Sequence, residues 1–107
     1  ADLIAEVSEL FEGPRLFHLG MDEETLEHHR GLRLEHVVIR QGQAWLDALL
    51  KLDGFVRANG ARSWIWADPL WPGRSTENAK VPKRIMLSDW HYHVADDYPS
   101  MRRLDQL

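Results

Sequence analysis

Cysteine is absent from the 107 residues, so no disulfide and no thiolate metal centre can hold or serve this fold. Also missing is any apolar run approaching the ~18 residues of a membrane span. The N-terminal Ala1-Asp2-Leu3 lacks the basic region and apolar stretch of a secretory signal. Basic clusters are scarce: the tight pairs are Lys83-Arg84 and Arg102-Arg103, and 17 acidic against 13 basic residues give a net charge of −4. Nucleic acid and anionic membrane surfaces are therefore not expected as partners. Stability must come from packing, and a hydrophobic content of 44% over this length is that of one ordinary globular domain. The chain starts without methionine inside what reads as a helix, as a mature or excised piece would.

What is present reads as alternating helix and strand. Leu3, Ile4, Val7, Leu10 and Phe11 recur at spacings of three and four, which predicts an amphipathic helix over 2–11, stopped by Gly13-Pro14. The apolar run Leu16 to Leu19 predicts a strand that ends at Gly20 and is followed at once by Asp22 and Glu23. A helix is expected from Glu23 to His29, and Leu32 to Gln41 has a mixed pattern open to helix, loop or short strand. Trp45, Leu46, Leu49, Leu50, Leu52, Phe55 and Val56 form a wide apolar stripe, predicting a long helix over 43–58 with Asn59-Gly60 as its stop. Arg62 to Ala67 predicts a second strand running into Asp68, and Arg84 to Leu87 a third, running into Ser88-Asp89-Trp90. Between them Pro69 to Pro82 is rich in proline and glycine and too long for a simple connector. A final helix is expected over 98–107. This order predicts an α/β fold of three or so parallel strands joined by crossover helices.

Strands that end on carboxylates place acids where α/β folds keep their chemistry. The run His18-Leu19-Gly20-Met21-Asp22-Glu23 resembles the His-x-Gly-Gly-Asp-Glu motif of the family 20 glycoside hydrolases, the β-N-acetylhexosaminidases, with Met21 in place of the second glycine. In that family the motif ends the fourth barrel strand, a tryptophan-bearing segment followed by an acid ends the fifth, and another tryptophan segment ends the sixth. Trp64-Ile65-Trp66-Ala67-Asp68 and Ser88-Asp89-Trp90 are similar to these in order. A complete (β/α)₈ barrel averages roughly 250 residues, about 30 per unit. The resemblance thus implies that residues 1–107 form a single, partial TIM-barrel segment, needing the remainder of the barrel or self-association to cover its open edges.

The resemblance further implies hydrolysis of N-acetylhexosaminide-type carbohydrate, with the sugar's own acetamido oxygen as nucleophile. Glu23 would be the general acid and Asp22 the carboxylate that orients the acetamido group. His18, Trp66, Asp68, Trp90 and Tyr92 would contact substrate, and no cofactor or metal is called for. Each residue also has a plainer reading. Asp22 can cap a helix while Glu23 complements its dipole, His18 can be a satisfied core histidine, and Trp64 reads as core. Trp71 either closes a pocket or anchors its loop. His91-Tyr92-His93 presents alternating imidazoles, so a metal-dependent hydrolase using His18, Asp22, His91 and His93 is a further alternative. A third is a non-catalytic carbohydrate-binding barrel, favoured if Met21 crowds the sugar.

Overall fold

The computed structural model describes residues 2–22 and 39–104. Helix α1 (Asp2–Leu10) leads to strand β1 (Leu16–His18), helix α2 (Gln43–Ala58) to strand β2 (Arg62–Trp66), and a 3₁₀ turn (Asp68–Leu70) opens a long loop before strand β3 (Met86–Ser88). Helix α3 (Pro99–Leu104) follows. The three strands form one parallel sheet in the order β1-β2-β3, so the chain is a small α/β protein. The helix expected over 23–29, and most of the ambiguous segment 32–41, lie outside the described residues. Among those described, no helix is long and apolar enough to cross a membrane.

Strand β2 explains the layering. Its burial alternates, with Ser63 and Ile65 enclosed while Trp64 and Trp66 are half-buried, because successive side chains leave a strand on opposite faces. Ile65 packs with Trp45 and Leu49 of α2, whose buried positions Trp45, Leu49, Asp53 and Val56 recur every three or four residues. On the same side Ile4 of α1 joins Val56 and Ala61, with Phe17 of β1 against them. The register aligns His18 with Trp64, Trp64 with Met86, and Trp66 with Ser88. The second face therefore carries His18, Trp64, Trp66 and Ser88 beside the apolar Leu16 and Met86.

The connection from β2 to β3 uses turns where an α/β unit would ordinarily place a helix. Leu70 and the buried Thr76 anchor it, the Thr76 hydroxyl donating to the Pro69 carbonyl, and Ala79 and Val81 complete the core beneath. The third strand starts at Met86, two residues later than the sequence predicts. Ile85 still belongs to a turn, its amide donating to the Pro82 carbonyl at 2.9 Å, and Arg84 is drawn away to a partner on α2.

That partner is Asp53, a carboxylate on the apolar stripe with side-chain exposure of only 2%. One oxygen accepts from the Ser63 hydroxyl at 2.9 Å, and the other accepts from Arg84 Nε and Nη2 at 2.9 and 2.7 Å. Helix, central strand and the approach to β3 are thus pinned at one point. Because Arg84 is half-exposed, the charge attraction is partly screened, and the larger effect is satisfaction of a buried carboxylate and hydroxyl. Asp53→Ala is expected to lower the unfolding free energy in urea by about 2–4 kcal/mol. Asp53→Asn should cost less, since the amide oxygen still accepts from Ser63; an Asp53→Ala protein as stable as the parent would remove this tie from the account.

Candidate functional site

Two indoles and two carboxylates interlock beyond the ends of β2 and β3, and a third indole bonds a strand-end serine on the sheet face. Trp64 Nε1 donates to the Ser88 hydroxyl oxygen at 2.8 Å, Trp71 Nε1 to Asp89 at 3.0 Å, and Trp90 Nε1 to Asp68 at 3.2 Å. A buried indole N–H needs an acceptor, and a buried carboxylate needs donors. Each tryptophan therefore fixes, and is fixed by, a strand end other than its own segment's. Trp71 and Trp90 also meet in a tilted pair, with centroids 5.2 Å apart at 44°.

Asp89 is the centre of this lattice. One carboxylate oxygen accepts from Trp71 and from the Trp90 amide, each at 3.0 Å. The other faces His91 Nε2 at 3.0 Å and accepts from the Ser100 hydroxyl. Burial in itself would raise the pKa, but Ser100, His91, the Trp90 amide and Trp71 together outweigh it and hold the carboxyl below its ordinary value of 3.8. His91 is stacked against Tyr98 at 4.2 Å and more distantly against Trp71 at 6.2 Å. Ser100 lies 3.1 Å from the same His91 nitrogen. Asp, His and Ser are present, but one ring nitrogen faces both partners and the serine proton goes to the carboxylate. No activated nucleophile results.

Next to this lattice lies a cleft of about 550 Å³ whose walls include Trp71, Trp90, His91, Tyr92, His93 and Arg103. The loop that carries His93 is held by Tyr98, whose hydroxyl donates to the His93 carbonyl at 2.8 Å and accepts from the Ala95 amide at 3.0 Å. Tyr92 is 95% exposed and rests on Trp90, with centroids 5.2 Å apart. A concave surface with flat apolar walls and a few polar groups is suited to a ligand with both apolar faces and hydroxyls.

The sequence-predicted site residues divide into groups. Trp90 and Tyr92 line the cleft, and Asp68 lies buried beneath Trp90 as its acceptor. His18 and Trp66 meet elsewhere, on the sheet face away from α2, where the His18 ring sits 4.9 Å from Trp66 and 4.7 Å from Trp64. Trp64 is thus on this aromatic face and not in the aliphatic core. His18 does not bond a carboxylate among the described residues. Its Nδ1 accepts from the Gly20 amide at 3.0 Å, because the turn at Gly20 brings that N–H back over the ring. Asp22 is exposed beyond β1, and Glu23 lies outside the described residues.

Met21 occupies a glycine-type position. Its φ of 71° follows a Gly20 φ of 72°, a left-handed backbone that most residues avoid at a cost of roughly 1–2 kcal/mol. The side chain is buried with Trp45, Leu49, Ile65 and Leu70, and its carbonyl accepts from Trp45 Nε1 at 3.2 Å. Sequence reasoning overlooked Asp89, Ser100 and Arg103. The signal for Asp89 was its place directly after a strand; the other two sit on α3, whose docking no local pattern announces. Among the described residues no three metal-ligating side chains converge.

The depressed pKa of Asp89 has a definite consequence for acid stability. The stabilisation it lends is complete above the ordinary value of 3.8 and is lost as pH falls through the lower folded-state value. Urea midpoints followed from about pH 5 down to about pH 2 should show a smaller acid-induced loss in Asp89→Asn than in the parent. Identical acid limbs would contradict the assignment.

Comparison with protein-family models, with curated proteins and with solved structures finds no match to this chain.

Proposed function

We propose that the chain is the sugar-binding section of a (β/α)₈-barrel glycoside hydrolase similar to the family 20 β-N-acetylhexosaminidases. The observation that carries this reading is the aromatic cleft at the C-terminal edge of the parallel sheet, with Trp71 and Trp90 locked edgewise by strand-end carboxylates. Sugar rings stack their C–H faces on such walls. The sheet face bearing His18, Trp64, Trp66 and Ser88 has the aromatic and polar character of a barrel interior near its mouth, and the remaining strands of a barrel would cover it and the two edge strands.

The roles of Asp68 and Asp89 follow from their partners. Asp68 and Asp89 are occupied by indole, hydroxyl, imidazole and amide donors, so they position aromatic walls and do not deliver protons. For Asp22, exposed after β1, and its neighbour Glu23 the roles come from the resemblance of residues 18–23 to the family motif. Asp22 orients the acetamido group of the substrate and Glu23 protonates the leaving oxygen. No cofactor takes part, and the partner is a carbohydrate chain.

The binding-only alternative loses its motive, because the Met21 side chain turns into the core under α2 and not toward a ligand. Met21→Gly should therefore leave affinity for N-acetylglucosamine unchanged while lowering stability by about 1–3 kcal/mol, the lost core contacts outweighing relief of the left-handed backbone. Tighter sugar binding in that variant would restore the alternative.

The decisive experiment is hydrolysis of a chromogenic aryl N-acetylglucosaminide by the full natural protein that contains this chain. Turnover should fall about 10²-fold or more in Glu23→Gln. Unchanged turnover in the variant would sink the assignment of Glu23.

A further inference from the structure

His91 combines a fixed tautomer with a free nitrogen. Its Nε2 faces an Asp89 oxygen at 3.0 Å and the Ser100 oxygen at 3.1 Å, and Ser100 spends its own proton on the same carboxylate. An ionised carboxylate only accepts, and the serine oxygen has only lone pairs left to offer. In the neutral ring the hydrogen must therefore sit on Nε2, and Nδ1 carries the lone pair. That Nδ1 makes no hydrogen bond among the described residues and is not one of their enclosed polar atoms. The ring lines the cleft, stacked on Tyr98 at 4.2 Å and nearly parallel to the Trp71 indole 6.2 Å away.

We infer that Asp89 and His91 form a dyad that reads a ligand hydroxyl: Asp89 holds Nε2–H, so that His91 Nδ1 accepts a hydrogen bond from a sugar hydroxyl seated against Trp71 and Trp90. This rests on the carbohydrate reading above and assigns that site a specificity-determining residue. Among the acceptors near the cleft the carboxylates are spent, and of the cations Arg103 keeps a buried Nε without a partner among the described residues. Asp89 and Asp68 are occupied as acceptors, and Arg103 leans on Glu77 through its carbonyl at 3.3 Å. A lone pair in a rigid ring between aromatic walls selects a hydroxyl donor at one position of the sugar, where a water-exposed carboxylate would accept any. Asp89 is a positioning residue, acting only through the tautomer it imposes. His93, whose ring lies 5.6 Å from His91 and 5.9 Å from Tyr98, has no such holder among the described residues.

The test uses the full natural protein containing this chain, N-acetylglucosamine and its mono-deoxy analogues as probes, with ¹⁵N NMR of the imidazoles and calorimetric titration. Where its ring is neutral, His91 of the parent should be the Nε2–H tautomer, and Asp89→Asn should mix the two tautomers. His91→Phe keeps a flat ring between Trp71 and Tyr98 but removes the acceptor. It should weaken N-acetylglucosamine about five- to tenfold, the worth of one net hydrogen bond. One deoxy analogue should bind the parent as weakly as the intact sugar binds His91→Phe, and lose nothing further in that variant. An Nδ1–H tautomer in the parent, an unaltered tautomer in Asp89→Asn, or equal sugar affinity in parent and His91→Phe overturns the dyad and leaves the carbohydrate reading standing. A folded parent that binds no N-acetylglucosamine overturns both. If His91→Phe does not fold, the tautomer of the parent still decides.

Discussion

Strand β2 has to satisfy two unlike neighbours with five residues, and the rest of the molecule follows from how it does so. Ser63 and Ile65 face α2, where a buried carboxylate and an aliphatic core await them. Trp64 and Trp66 face the other way, toward His18 and Ser88. Parallel pairing on both sides leaves no freedom of register, because a slip of one residue would put indoles into the α2 interface and Ile65 among polar groups. One face is accordingly devoted to cohesion and the other to polar and aromatic display.

Carboxylates are used in the same economical way. Asp53 sits where α2, β2 and the approach to β3 meet and serves only to hold them together. Asp68 and Asp89 sit at strand ends, the positions associated with catalysis in α/β proteins, yet both are consumed in orienting tryptophans. Position at the sheet edge alone thus does not make an acid reactive; the count of donors around it decides. Asp22, by contrast, is exposed beyond β1.

Much of this was legible in the sequence, for reasons that differ by element. The stripe from Trp45 to Val56 gave α2 to the residue, since a long helix with one apolar face has little competition. Asp53 lies on that stripe, four residues after Leu49 and three before Val56, and could have been recognised as buried from spacing alone. The start of β3 was misplaced because Arg84-Ile85 looks strand-like locally, while its geometry is set by an arginine reaching a helix 31 positions earlier. The aromatic segment after β3 was identifiable as unusual. Its organisation around Asp89 was not, because it depends on Trp71 and Ser100, which come from a long loop and a short helix whose meeting no local pattern announces.

Helix α3 is six residues long and encloses none of its side chains completely, a length far below what sustains a helix in water. It stays in place through the Ser100 hydroxyl on Asp89, the Arg103 contact with Glu77 and the packing of Leu104 on the core. Amide protons of α3 should then exchange with solvent through local opening and not through global unfolding. Each such opening withdraws Ser100 from Asp89 and moves a wall of the cleft, so the shape offered to a ligand lasts only as long as the docked state of the last described helix.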